Sequence, residues 1–221
     1  MTALRSNLSR LLADDDSFVL DVRADAYGHG ASAVVMLALD AGVRRFRVSP
    51  ADADIAGVPR SALSTAASSR PLISDAAYGV DGASLPVMTL TGEVVAVKPA
   101  RAGAGVSYGY SYRTPGDTTL ALVALGYADG VPRLASNRAS VSLGGALYPL
   151  VGRIAMDQFV VDLGAELTEL TAAVAVGDAV VLFGDSAAGY PLARDWGAWT
   201  QRGALELSAN LGSRIERIVH D

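Results

Sequence analysis

Three short runs hold the side chains with the most chemistry in them. Arg23-Ala24-Asp25-Ala26-Tyr27-Gly28-His29-Gly30 sets a guanidinium, a phenol and an imidazole close together. Leu125-Gly126-Tyr127-Ala128-Asp129-Gly130 carries a second phenol, and Val151-Gly152-Arg153-Ile154-Ala155-Met156-Asp157-Gln158 carries Met156 and Asp157. A guanidinium keeps its proton beyond pH ~12, so Arg23 is a poor imine-forming nucleophile. Its planar fork is instead suited to a phosphate or a carboxylate. A free phenol loses its proton near pH ~10, so Tyr127 can serve as a base only beside a cation or another stabilising contact. Amine chemistry rests on one lysine, Lys98, against seventeen arginines. Lys98 lies in Val94-Val95-Ala96-Val97-Lys98-Pro99 and reads as an exposed strand end. There are no cysteines, which excludes thiolate catalysis, disulfides and cysteine metal sites.

These runs need a scaffold, and the apolar pattern supplies one. Leu4, Leu8, Leu11 and Leu12 repeat at helical spacing, so residues 2–13 are expected as an amphipathic helix. Phe18-Val19-Leu20-Asp21-Val22 reads as a buried parallel strand, and Tyr27-Gly28-His29-Gly30 as a turn. A helix is expected over 31–41 with Gly42 as its stop, then a strand over 45–48. Together these form a strand–helix–strand beginning. Residues 59–70 are rich in Ser and Ala and poorly periodic. From about Leu85 strand-like runs and turns dominate, with strands expected over 88–97, 120–125, 139–143, 147–151, 158–163 and 179–183. A helix is expected between Leu192 and Asn210.

Composition narrows the partners. Hydrophobic residues make up 51% and charged residues 19%, which excludes a disordered chain. The net charge is -5 and no long basic run is present, so nucleic acid is not expected. Arg44-Arg45-Phe46-Arg47 is the most basic spot and reads as a solvated strand end. No apolar stretch approaches the ~20 residues that span a bilayer, and no signal-peptide core follows Met1. No membrane association and a cytoplasmic location are the default expectations.

Val106-Ser107-Tyr108-Gly109, the Leu125–Gly130 run, the Val151–Gln158 run and Val176-Gly177-Asp178 through Phe183-Gly184 resemble, in order and approximate spacing, the C-terminal domain of the alanine racemases. Ala24–Gly30 resembles the cofactor-anchoring segment of the same family. The resemblance implies a two-part fold: α/β followed by all-β. Residues 1–82 are expected as a truncated, open remnant of a (β/α)8 barrel, and 83–221 as an alanine-racemase-like C-terminal β-barrel domain. A full barrel takes ~250 residues, and two or three strands cannot close one. The last barrel strand is expected near Ser74–Gly79.

In that family the segment at Arg23 opens with the lysine that holds pyridoxal phosphate as a Schiff base. The cofactor is an electron sink, and a tyrosine matching Tyr127 is the second base. Tyr27 and His29 match positions beside the cofactor, and Met156 and Asp157 match a substrate-side loop. Here Arg23 replaces the lysine. Leu72 and Ser74 fall where a ring-contacting arginine and a phosphate-binding glycine belong, and Leu205 stands where a phosphate-contacting tyrosine precedes a glutamate. The expected protein is alanine-racemase-like but catalytically inactive. It is unable to hold pyridoxal phosphate as a Schiff base, binds no cofactor or metal, and acts as a dimeric binding or assembly module. A homodimer is expected, with a heterodimer with a full-length racemase as the other pairing. The alternative is an active or repurposed amino-acid racemase, converting L-alanine to D-alanine with Tyr127 as base.

Overall fold

The structure is a computed structural model, and it describes residues 1–164 and 174–220. It divides into two compact units. The first comprises Met1–Met88, Ser208–Asn210 and the chain from Glu216 onward; the second comprises Thr89–Leu207 and Leu211–Ile215.

The first unit is built on a four-stranded parallel sheet of order β3-β2-β1-β4, where β1 is Val19–Asp21, β2 Phe46–Arg47, β3 Leu63–Ser64 and β4 Leu72–Ile73. Register pairs Leu20 with Phe46, Phe46 with Leu63, and Leu20 with Ile73. Side chains alternate across a sheet, so these four share one face. Leu20 and Phe46 are fully buried there, along with Leu4 and Leu8 of helix α1 (Thr2–Asp14) and Val34, Val35 and Ala38 of helix α3 (Ala31–Ala41). The opposite face carries Val19, Asp21, Arg47, Ser64 and Leu72.

The sheet is open, as the sequence implies, but it has one strand more than the expected two or three. β3 lies inside the Ser/Ala-rich stretch 59–70, and two residues are too few to leave a periodic signal. The last strand is Leu72–Ile73 rather than near Ser74–Gly79. Asp75–Tyr78 is instead a helical turn, α4, closed by Gly79 at φ 72°. Only glycine fits there, since a Cβ would fall 1.8 Å from the Leu85 carbonyl oxygen. Gly42 stops α3 at φ 113°, as expected. Remaining in the first unit, α2 spans Arg23–Gly28.

The second unit is a closed six-stranded barrel, β10-β11-β8-β5-β12-β9, every pair antiparallel. Its strands are β5 (Leu90–Ala100), β8 (Thr118–Val123), β9 (Ser140–Leu143), β10 (Ala146–Val151), β11 (Phe159–Asp162) and β12 (Ala179–Phe183). The long β5 pairs with β12 through Leu90–Glu93 and with β8 through Val94–Ala100, with an irregularity between Val94 and Ala96. A bulge there turns one strand between two neighbours and lets a small sheet close. Val94, Val123, Val141, Phe159, Val161 and Leu182 are essentially inaccessible inside. A hairpin, β6 (Gly105–Val106) with β7 (Tyr112–Arg113), was not foreseen; its strands are two residues each. The expected C-terminal helix is two helices, α5 (Ala193–Thr200) and α6 (Ala204–Ala209). Gln201 turns left-handed at φ 55° and ends the first. Among the described residues no helix is long and apolar enough to cross a membrane.

Asn7, 2% exposed, ties α1 to the rest of its unit. Its Nδ2 donates to the Ala77 and Leu85 carbonyls at 3.0 and 2.8 Å, and its Oδ1 accepts from the Leu85 amide at 3.0 Å. Asn7→Ala leaves three backbone groups without a partner and is expected to cost about 2–4 kcal/mol. A lower urea midpoint and faster amide exchange at Leu85 would show it.

Candidate functional site

In the first unit the chemistry gathers around Asp21, whose side chain is 2% exposed. Arg23 grips it in bidentate fashion: Nε donates to Oδ1 at 2.9 Å and Nη2 donates to Oδ2. The Tyr27 hydroxyl donates to Oδ2 at 2.6 Å, and the Arg23 amide donates to Oδ1 at 3.2 Å. Tyr78, buried beneath, donates to the Asp21 carbonyl at 2.8 Å. Burial pushes the Asp21 carboxyl up, but the hydrogen bonds from Arg23 and Tyr27 outweigh it and hold it below its ordinary value. Burial, then the bond to Asp21, pushes the Tyr27 phenol up to about 12. The bond to Asp21 raises the Arg23 guanidinium above its ordinary value.

α2 is not an ordinary helix. Ala24, Asp25, Ala26 and Tyr27 all sit at φ 52–55°, a single left-handed turn made without glycine. Each such residue costs about 1–2 kcal/mol, so the turn must be held by its surroundings. The Ala26 amide donates to the Val22 carbonyl at 2.9 Å, and Gly30 to the Asp25 carbonyl at 3.0 Å. The Ala31 amide donates to the Asp25 carboxylate at 2.7 Å, and Ala24 to the Ser49 hydroxyl at 3.0 Å. Gly28 closes the turn against the Ser208 carbonyl, where a Cβ would be 2.5 Å away. His29 stacks on Tyr78 at 4.7 Å, and its Nδ1 donates to the Ala26 carbonyl at 2.8 Å. That bond leaves Nε2 buried and without a partner among the described residues, and burial pushes the imidazole below its ordinary value.

The second unit holds the other sequence-derived residues. Tyr127 lies on a one-turn helix, Tyr127–Asp129, directly after β8. The Tyr127 and Ala128 amides donate to the Ala155 and Met156 carbonyls, both at 3.0 Å. Gly126 permits this approach, since its Cβ would fall 2.2 Å from the Met156 oxygen. The two motif runs are thus stitched together. Arg214 completes the seam: its Nε lies 3.1 Å from Asp129 Oδ1 and its Nη1 lies 2.7 Å from Asp157 Oδ1. Tyr127 and Met156 stay exposed, at 39% and 53%. The Arg133 guanidinium sits 5.4 Å from the Tyr127 ring and 5.7 Å from the Tyr108 ring, a cation over two phenol faces.

Arg23, Tyr27 and His29 therefore meet in one unit, while Tyr127, Met156 and Asp157 meet in the other. Asp21, Arg133 and Arg214 were missed. Asp21 had a signal: an acid at the end of an expected strand, two positions before Arg23, is close enough in sequence to pair with it. Arg214 had none, being 57 residues from Asp157. The basic run at Arg44 divides: Arg44 and Arg45 are exposed, but Arg47 is half-buried on the sheet face with its Nε unpartnered. That corrects its reading as part of a solvated strand end. Lys98 is exposed on β5. The residues at Arg23 do not fit a Schiff-base cofactor: the side chain has no amine, and its fork is already taken by Asp21.

The pH dependence follows from Asp21. A depressed carboxylate adds stability that is complete above about pH 4 and is lost as the pH falls through its lower folded value. Asp21→Asn should destabilise the first unit by about 1–3 kcal/mol at pH 7, discounted because Arg23 is 44% exposed and can be rehydrated. In urea titrations the gap to the parent should narrow as the pH is lowered below about 4.

The sequence profile of the alanine racemase C-terminal domain matches residues 87–219. Alanine racemases from Streptomyces coelicolor and Thermobifida fusca are 48% and 44% identical over 133 residues. Those matches cover 60% of this chain, but only 32% and 34% of the relatives, so the chain spans about a third of the length of each. The solved alanine racemase from Streptomyces coelicolor superposes with a TM-score of 0.82 at 25% identity, covering 98% of this chain and 95% of that one. A crystal structure of alanine racemase from Bartonella henselae with covalently bound pyridoxal phosphate gives 0.80 at 19% identity, covering 97% of both chains, a likeness of fold. By its barrel unit and the motifs that barrel presents, the chain belongs to the alanine racemase C-terminal domain family.

Proposed function

We propose that this chain is a catalytically silent alanine racemase relative that works as a dimeric binding or assembly module. The observation that carries the reading is the Asp21–Arg23 pair. Where the resemblance places the lysine that would form an imine, a guanidinium is locked on a buried carboxylate. Racemisation on pyridoxal phosphate needs an amine at that place to hold the cofactor as electron sink. The Bartonella henselae relative is described with that cofactor bound covalently. In this chain the one lysine is exposed on β5.

The reading also draws on what is kept. The barrel is closed, and its motif loops are stitched by Arg214 and the close approach at Gly126. A superposition that takes in nearly all of two chains, beside a sequence match to a third of the relatives, fits a chain with both ends of the fold and not its middle. The open sheet leaves β3 and β4 as edges, and a second copy would cover them. The partner is a second copy of this chain, with a full-length racemase as the other pairing, and the location is the cytoplasm.

One observation favours a second reading, a repurposed racemase with Tyr127 as base. Arg133 places a cation 5.4 Å from the Tyr127 ring, the kind of neighbour a phenol base needs.

Two measurements separate these readings. Pyridoxal phosphate added to the purified chain should give no imine absorbance and no borohydride-stable label, and alanine racemisation followed by chiral chromatography should stay at background. Turnover that disappears in Tyr127→Phe would establish the second reading instead. Light scattering after gel filtration should give twice the chain mass at micromolar concentration; a monomer there would refute the assembly role.

A further inference from the structure

The face of the parallel sheet that carries Val19, Arg47 and Leu72 borders a cavity of about 210 Å³. Val19 and Leu72 form its apolar floor, and Arg23, Arg47, Arg70 and Ser68 line its walls. In a closed (β/α)8 barrel the corresponding face is filled by layers of bulky branched side chains. Here the strands are too few to close, and three guanidiniums, one from the sheet and two from flanking segments, line the cavity. We infer that this cavity is a binding site for a small phosphate or phosphomonoester.

Charge is the first argument. Arginine stays protonated at every physiological pH, so the cavity carries three fixed positive charges. Asp21, held by Arg23, offsets one of them. Asp15 lies near enough to Arg70 to feel its charge, but its carboxylate is exposed and turned to the Ser17 amide and hydroxyl. A net positive pocket of this size suits a compact ligand with two negative charges.

Unsatisfied hydrogen bonding is the second argument. Arg47 is registered beside Asp21 on the sheet, yet its Nε is buried and has no partner among the described residues. A buried N–H without an acceptor is costly, so the Arg47 side chain gains by re-aiming toward an oxyanion seated over the sheet. Among the described residues the Arg70 guanidinium makes only a long hydrogen bond to the Ser17 carbonyl, at 3.4 Å, so its fork is available at the rim. Phosphate oxygens accept from several guanidiniums at once, which a monocarboxylate does less well.

Pocket and arginines all belong to the first unit, and the inference does not rest on the proposed function: the site stands whether or not the chain racemises alanine. Calorimetric titration of the full chain with inorganic phosphate and with glycerol 3-phosphate should show saturable binding at about 1 mM or below. Binding should weaken with added salt, and acetate should bind at least ~10-fold more weakly. Arg47→Gln should weaken phosphate binding at least ~10-fold. Arg70→Gln, an exposed rim position that leaves folding intact by circular dichroism, should weaken it severalfold. Arg113→Gln, in the other unit, should leave it unchanged. No saturation by ~10 mM, or parent-like binding in both Arg47→Gln and Arg70→Gln, would overturn the assignment.

Discussion

An ionised carboxylate with 2% of its side chain exposed must be fully partnered, and Asp21 draws its partners from the segment that follows it. Arg23 supplies a bidentate fork and Tyr27 a hydroxyl, so both side chains are committed to the strand they leave. The left-handed turn between them depends on that commitment. Four residues in an unfavourable conformation persist only where hydrogen bonds and packing over-determine them. The hydrogen bonds from Tyr27 to Asp21, from Ala24 to Ser49 and from the Ala31 amide to Asp25 do this here. The carboxylate thus neutralises Arg23 and shapes the loop that follows it.

The barrel unit is held by a different device. Its two motif runs are joined through backbone hydrogen bonds that need the absence of a Cβ at Gly126, and through one arginine that reaches an acid in each run. The acids are turned inward or paired, while Tyr127 and Met156 project outward.

Opening the parallel sheet changes what its inner face must be. A closed barrel hides that face and fills it with aliphatic layers. An open one leaves it reachable, and Arg47, Arg23 and Arg70 keep it polar. The edge strands are two residues long, which limits the unpaired backbone they expose. The same brevity limits how much of the sheet a partner can extend.

Local pattern made much of the fold legible. Helical spacing at Leu4, Leu8 and Leu11, the apolar run before Asp21, the Gly42 stop and the six barrel strands could be read because each rests on residues close in sequence. The motif runs likewise named Arg23, Tyr27, His29, Tyr127, Met156 and Asp157. Elements of two residues, β3, β6 and β7, left no periodic trace and exist only because a neighbour supplies the hydrogen bonds. The left-handed turn at Ala24–Tyr27 was also hidden, since no glycine marks it. The sequence by itself determined which side chains are present, above all that no amine stands at position 23, because residue identity is covalent. Only the tertiary structure decided which charges meet, seating Arg23 on Asp21, Arg214 across Asp129 and Asp157, and Arg47 beside an open cavity, because ion pairing depends on distance in space and not along the chain.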